Sequence, residues 1–342
     1  MTVVRNDVGF KWGVIGPGQI ARDFIHDMSL VTEFANTIVA VLSNRLTEAQ
    51  DFSHEYGVPY AFDQAEQMLR EAKPDIVYVA TPHPMHHDYT VRCLEKGVAV
   101  VCEKPLALNA GQSMQMIGAA RDTGAFLLEG MWIRYLPSIR RVLTLLEEEK
   151  IGKIQSVTAN MSYRAPRNKN NRFYNPDLGG GSLLDLGIYP VYLAVLLLGE
   201  PDRIQATALL SPKGIDTSCA VTLVYEAKRA YALAESSITK ETDKTAVIWG
   251  EKGKITILAP WNERSEGVAL TRYDGKTEYY PCAWEGRGFQ YEITEALRCI
   301  SEGKIESDLH DHQESLVLMR VLDEIRRQTG ISYPMEEGSS GA

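Results

Sequence analysis

At 342 residues, with 44% hydrophobic and 24% charged residues, the chain has the balance of a globular protein and enough length for two domains, which argues against disorder. Its net charge of -9 argues against nucleic acid or an anionic membrane surface as a general partner. No apolar run is expected to approach the roughly 20 residues of a membrane span, and the opening MTVVRNDVGF lacks the apolar core of a signal peptide, so a cytoplasmic location is expected.

Residues Phe10 to Ile15 read as a buried strand that runs into Gly16-Pro17-Gly18-Gln19-Ile20-Ala21, a G-x-G-x-x-A pattern opening a helix. Gly16 permits the tight strand-to-helix turn, Gly18 lets a pyrophosphate approach the backbone, and Ala21 lets helix and strand pack closely. The helix N-terminus then offers N–H groups and a positive dipole end to phosphates, with Gln19 and Ile20 in its first turn. Further strand runs follow at Thr37–Ser43, Asp75–Thr81 and Val98–Glu103, separated by helix-length segments at Leu46–Tyr56, Ala65–Glu71 and His87–Lys96. Such alternation predicts βαβ units and a parallel sheet covered on both faces, a Rossmann dinucleotide-binding domain over residues 1–130.

Where the second strand ends, Ser43-Asn44-Arg45 replaces the carboxylate that NAD enzymes use for the adenine ribose hydroxyls. The nearest acid, Glu48, lies three residues beyond Arg45. An acid repels the 2′-phosphate of NADP, while Arg pairs with it, so NADP rather than NAD is the expected cofactor. Lys104, in Cys102-Glu103-Lys104-Pro105, follows another strand and falls where open α/β sheets bind ligands. His83, His86 and His87 crowd the exit of the strand before it, but nothing completes a ligand set, so no metal is expected. His83 is read as lining the crevice and His86 as satisfying backbone groups at the helix start. Five dispersed cysteines without C-x-x-C spacing fit reduced thiols.

After about Leu128 the pattern changes. An amphipathic helix over 137–150 is followed by strand-like segments at 154–164, 203–211, 218–226, 229–239, 245–249 and 254–258. Asp274-Gly275 suggests a hairpin closed by a type I′ turn. Helices at 183–198, 290–301 and 312–329 are expected to cover one face of a large, mostly antiparallel sheet, so the fold class is α/β with a C-terminal α+β domain over 131–335. The other sheet face is expected to meet a second copy, giving a homodimer. Residues 336–342 read as a flexible tail. The polar loop APRNKNNRFYNP, with Arg164, Arg167 and Arg172 in or beside it, has two readings, a loop that closes over the substrate and, the one favoured, a solvated basic loop.

Four segments in order, GPGQIA, ATPHPMHH, CEKP and GGGSLLDLGIYP, resemble the Gfo/Idh/MocA oxidoreductases over essentially the whole chain. The stretch Glu129 to Pro137 (EGMWIRYLP) is similar to the branch holding dimeric dihydrodiol dehydrogenases, glucose–fructose oxidoreductase and NADP-dependent D-xylose dehydrogenases. The resemblance implies a nicotinamide cofactor and hydride exchange at the carbinol carbon of a small substrate, a sugar or a cyclic or vicinal diol. It implies Lys104 as the active-site lysine and puts Asp185 and Tyr189 on the D-x-G-x-H/Y positions. Tyr189 would take the alcohol proton, Lys104 would hold the substrate oxygen, and Asp185, four residues before Tyr189 and on the same face of a helix, would orient Lys104 or a sugar hydroxyl. Thr81, Pro82, His83, His86, Glu103 and Lys104 are candidate walls of the cofactor crevice, together with Trp132 and Arg134. With no twin-Arg leader seen before the first domain, a periplasmic role like that of glucose–fructose oxidoreductase is not expected. A dicarbonyl or keto-sugar reductase, or a catalytically silent NADP-binding regulator, are the alternatives.

Overall fold

A computed structural model describes residues 9–167 and 171–336. The chain begins with β1 (Phe10–Ile15), α1 (Gln19–Met28), β2 (Asn36–Leu42), α2 (Leu46–Tyr56), β3 (Tyr60–Phe62) and α3 (Ala65–Glu71). It continues with β4 (Ile76–Val79), α4 (His86–Leu94), β5 (Ala99–Glu103), α5 (Ala110–Thr123) and β6 (Leu127–Gly130). These strands form one parallel six-stranded sheet of order β3-β2-β1-β4-β5-β6. The order reverses between β1 and β4, and this switch point opens a crevice beyond the strand ends. β1, β4 and β5 are nearly continuous in buried Val, Ile and Tyr, as strands covered on both faces must be. The strands β3 and β6, only three and four residues long, give too little pattern to be read from the sequence.

The second half comprises α6 (Pro137–Glu147), β7 (Ile154–Ser162), α7 (Ile188–Leu198), β8 (Arg203–Leu210), β9 (Asp216–Tyr225) and β10 (Ala230–Ser237). After these come β11 (Ala246–Gly250), β12 (Gly253–Ile257), β13 (Gly267–Arg272), β14 (Thr277–Pro281), α8 (Phe289–Ser301) and α9 (His312–Thr329). The eight strands form one sheet of order β14-β13-β12-β11-β7-β10-β9-β8. It is antiparallel except for the central β7·β10 pair. One face buries Val157, Ala159, Leu223, Ala232, Ile248 and Ile255. Gln328 of α9 covers the edge strand β8 by accepting from Ala206 N and donating to Ile204 O, at 3.0 and 2.9 Å, which caps main-chain groups an open edge would expose.

Three expectations need correction. The β13–β14 hairpin exists, but only Gly275 has a positive φ (+88°), so its turn is not type I′. The Gly275 N–H bonds Arg272 O and the Arg272 N–H bonds Lys276 O, closing a four-residue loop. The segment expected as one helix over 183–198 is a π-helical turn, Leu183–Gly187, followed by α7. Pro190 sits in the first turn of α7, where its missing N–H costs least. Finally, the helical path Pro176–Leu198 is long and apolar enough to cross a membrane, contrary to the sequence expectation, yet 89% of its apolar window lies buried within the fold. It is a core helix, apolar all round because protein surrounds it.

The chain divides into two compact units that interleave along the sequence rather than parting at residue 130. Of the described residues, one comprises 9–107, 111–132 and 285–312, and the other 108–110, 133–167, 171–284 and 313–336. Helix α8 thus belongs with the nucleotide-binding sheet instead of covering the second one. The buried Asp27 of α1 is the reason: its Oδ2 accepts the N–H groups of Arg287, Gly288 and Phe289 at 2.7, 2.8 and 3.1 Å. These are donors of the helix start that the helix itself leaves unmet. The second unit extends to Glu336, which pairs with Arg326 and accepts from Asn109 at 2.9 Å, so Glu336 is no part of a tail. Residues 337–342 lie outside the described residues.

α8 also carries Glu292, fully buried with both carboxyl oxygens unbonded. Burial, followed by the charges of Glu103 and Asp27, pushes its pKa well above the usual carboxylate value. The folded chain therefore keeps a proton that the unfolded chain releases near its ordinary pKa. Stability from this group is present below that ordinary value and is lost as pH rises towards the raised one, by at most about 1.4 kcal/mol per pH unit. Glu292→Gln is expected to resist urea better than wild type at pH 8 and to match it at pH 4. Equal displacement at both pH values would contradict a neutral Glu292.

Candidate active site

The G-x-G-x-x-A turn is built as its sequence requires. Gly16 has φ +92°, and a Cβ there would lie 2.7 Å from Ala80 O and 2.9 Å from Thr81 N, so only glycine lets the β1 and β4 exits come this close. Gly18 caps α1 with an extended backbone and no side-chain cap, and a Cβ on it would meet nothing within 4 Å. The space beside Gly18 leaves room for a pyrophosphate to approach the start of α1, where helix N–H groups lack intrahelical partners. Ala21 is fully buried, while Gln19 reaches along the helix to Asp23 at 3.0 Å and Ile20 stays exposed.

At the end of β2, Ser43 is buried, and Asn44 and Arg45 are exposed. Ser43 Oγ accepts the Arg45 N–H at 3.3 Å and donates to Glu48 Oε2 at 2.9 Å. The other Glu48 oxygen forms an ion pair with the Arg45 guanidinium. The absence of an acid from the strand end is real, but the first turn of α2 folds one back onto it.

The strand-exit loops of β4 and β5 are tied together by His86. Its Nδ1 lies 2.8 Å from Pro105 O and its Nε2 2.9 Å from Thr81 O. The imidazole thus bridges two loops, instead of meeting the N–H groups of its own helix. Burial lowers its pKa, against the pull of those two carbonyls. His83 is buried with its ring centroid 5.7 Å from that of His86, and Thr81 and Pro82 are half-buried beside them. His87 bonds Asp88 at 2.9 Å. Among the described residues no cluster of three or more His, Cys, Asp or Glu is grouped to hold a metal.

Glu103 is buried, accepting from Tyr78 Oη at 2.6 Å and from Lys104 N at 3.1 Å. It fixes the backbone from which Lys104, itself 9% exposed, projects; the Lys104–Pro105 peptide is cis. Below that loop, Glu129 accepts the Leu106 N–H at 2.9 Å and meets His310 at 3.2 Å. Trp132 stacks on Phe289 with centroids 5.3 Å apart, so one ring face is spent on packing. Arg134 is half-buried on the same short 3₁₀ turn, Trp132–Tyr135.

In the second unit, Asp185 and Tyr189 are buried at 5% and 7% exposure. Asp185 lies in the π-helical turn and Tyr189 in the first turn of α7, so an i, i+4 relation in one α-helix does not describe them. π-turns within helices recur at functional sites. Asp185 Oδ2 accepts from Arg172 Nη2 at 2.7 Å, a charge-assisted bond the sequence reading missed when it assigned Arg172 to a solvated loop. Residues 168–170 of that loop lie outside the described residues. Gly180 explains the close packing here: a Cβ on it would come within 2.8 Å of the carbonyls of Arg172, Phe173 and Asn175. Asp216 Oδ2 then fastens the turn by accepting from Ser182 N, Ser182 Oγ and Leu183 N at 3.0, 2.6 and 2.7 Å.

The parallel sheet, the glycine turn at its switch point and the lysine-bearing exit loop define a nicotinamide-dinucleotide-binding oxidoreductase. Residues 10–131 match the family described as "Oxidoreductase family, NAD-binding Rossmann fold", and residues 139–256 match the "GFO/IDH/MocA C-terminal domain". The chain belongs to the Gfo/Idh/MocA oxidoreductases. It is 32% identical over 333 residues to a trans-1,2-dihydrobenzene-1,2-diol dehydrogenase of Xenopus laevis, covering 95% of this chain and 99% of that one. The human protein of that name is 28% identical over 344 residues, covering 96% and 100%. Among solved structures it resembles a 3-ketoreductase from Actinomadura kijaniata in complex with NADP, with TM-score 0.83, 23% identity, and 94% and 98% of the two chains covered. An aldose-aldose oxidoreductase from Caulobacter crescentus, complexed with glycerol, gives TM-score 0.83 and 23% identity, with coverage of 97% and 98%.

The two glycines separate stability from binding. Gly16→Ala is expected to cost about 2–4 kcal/mol in urea unfolding, through strain and a backbone clash. Gly18→Ala should leave stability nearly unchanged and weaken binding of the reduced nicotinamide dinucleotide about tenfold or more by fluorescence titration, because the added methyl stands where phosphate approaches. The reverse order of effects would overturn this assignment of the turn.

Proposed function

We propose that the protein is an NADP-dependent oxidoreductase transferring hydride between the nicotinamide and a carbinol carbon of a sugar or a cyclic or vicinal diol. The observation that carries the cofactor half of this reading is Arg45, an exposed guanidinium at the N-terminus of α2 just past β2, fitted to a 2′-phosphate. The substrate half rests on relatives named as diol dehydrogenases that align over 95% of the chain.

Bound NADP supplies the hydride acceptor. The chain's own residues do the rest. Tyr189, as tyrosinate, takes the proton of the substrate hydroxyl as the carbinol C–H bond breaks and a C=O bond forms, and returns it in the reductive direction. Lys104 donates a hydrogen bond to the substrate oxygen, held in place by the Glu103-anchored backbone. Asp185, neutralised by Arg172, orients a substrate hydroxyl. His83, Thr81 and Pro82 line the cofactor crevice, and Trp132 and Arg134 contribute to the substrate wall. The reading of a dicarbonyl or keto-sugar reductase uses the same groups in the opposite direction. A catalytically silent NADP-binding regulator has no need of Lys104, Asp185 and Tyr189.

Lys104→Ala and Tyr189→Phe are each expected to lower kcat about 10²–10⁴-fold while NADPH affinity stays within about threefold of wild type. Loss of NADPH affinity without a change in turnover would sink the catalytic roles. An unchanged response in every assay would favour the regulator.

A second copy of the chain is the proposed partner for the open sheet face. There Tyr231, Leu233 and Trp249 stand exposed on β10 and β11, with Tyr231 and Trp249 flanking Ser156 on β7 between them. Apolar side chains on a broad sheet face mark an interface. Sedimentation velocity is expected to show a dimer that Leu233→Asp converts to monomer. A monomeric wild type at tens of micromolar would exclude it.

A further inference from the structure

The acid absent from the end of β2 returns from the first turn of α2. Glu48 accepts from Ser43 Oγ with one oxygen and pairs with Arg45 through the other. Ser43 is buried and held in place, its Oγ also accepting the Arg45 N–H. The Glu48 carboxylate therefore sits where two oxygens of an NADP 2′-phosphate would sit if Ser43 and Arg45 hold that phosphate. A carboxylate and a phosphate monoester offer the same acceptor chemistry to a hydroxyl and a guanidinium.

We infer that Glu48 is a specificity-determining residue, a built-in counter-ion that competes with the 2′-phosphate for Ser43 and Arg45 and so sets how strongly the protein prefers NADP over NAD. This rests on the NADP reading of Arg45 given above. For NADP to engage Arg45, Glu48 must give up its ion pair and lie near a dianionic phosphate, and both effects oppose NADP. NAD carries no such group and leaves the pair intact. The pair is half exposed, with side-chain exposures of 72% for Arg45 and 40% for Glu48, so water and salt moderate the penalty. Glu48 thus acts as a moderate brake on a preference that Arg45 creates.

The test is a fluorescence titration of wild type, Glu48→Gln, Arg45→Ala and the double variant with NADPH and with NADH. Gln keeps a hydrogen-bond acceptor for Ser43 and removes the charge, and thermal melts confirm that each variant is folded. The inference predicts that Glu48→Gln binds NADPH about three- to tenfold more tightly, with NADH affinity changed less than about twofold. The gain should shrink when salt is raised from 50 to 500 mM and lose at least half its size in the Arg45→Ala background. Unchanged NADPH affinity in Glu48→Gln overturns it. A large loss of NADH affinity with NADPH unchanged also overturns it, by making Glu48 the acceptor for the ribose hydroxyls of NAD. Arg45→Ala separates the two claims. If that variant keeps full NADPH affinity, the 2′-phosphate reading of Arg45 fails; if it loses NADPH while Glu48→Gln gains none, only the role of Glu48 fails.

Discussion

The bare α-carbon of Gly16 lies against the carbonyl of Ala80, and the cofactor side of the molecule depends on that approach. With φ at +92° and no room for a Cβ, the exits of β1 and β4 close onto each other at the point where strand order reverses. The turn leads directly into α1, and Gly18 leaves open space beside the helix start. Next to it, His86 joins the Thr81 and Pro105 carbonyls, fixing the β4 and β5 exit loops to one another. Lys104 hangs from this braced frame, and Glu103 and Tyr78 hold its backbone from beneath.

Buried carboxylates carry much of this bracing. Asp27, Glu103, Glu129 and Asp216 each accept backbone N–H groups that helix starts and loops leave unmet. A carboxyl group that accepts such donors meets backbone groups that would otherwise be buried unpaired and ties distant segments together. Asp27 does so between α1 and the start of α8, drawing residues 285–312 into the nucleotide-binding unit. Glu292 is the exception, buried without any partner, and it keeps its proton instead. The same α-helix thus begins on the Asp27 carboxyl and carries, one turn later, the unpaired Glu292.

Much of this was legible in the sequence where local chemistry decides structure. The glycine turn, the Val- and Ile-rich parallel strands and the strand alternation of the second half each carry a short-range signal, and each formed as expected. The lysine-bearing exit loop was legible from its place after a strand. What was not legible depends on pairings between residues far apart in the chain. Nothing near Asp27 announces donors some 260 residues on, so α8 was assigned to the wrong sheet. Arg172 read as a solvated loop charge because its partner, Asp185, is fixed only when Gly180 lets the two segments pack. The π-helical turn escaped because five residues carry too short a pattern to tell a π-turn from an α-turn, and its start is fastened by Asp216, distant in the chain. Glu48 was visible as a neighbouring acid, but only the fold turns its carboxylate back onto Ser43 and Arg45.

The central claim, hydride transfer from a sugar or diol carbinol, is tested most directly by following the hydrogen itself. The enzyme would be incubated with NADP⁺ and a panel of aldoses and cyclic vicinal diols deuterated at the carbinol carbon, and the nicotinamide C4 position read by proton NMR. The account predicts deuterium at C4, on a single face, from at least one member of the panel. A protein that binds NADPH firmly yet transfers label from none of them would contradict it.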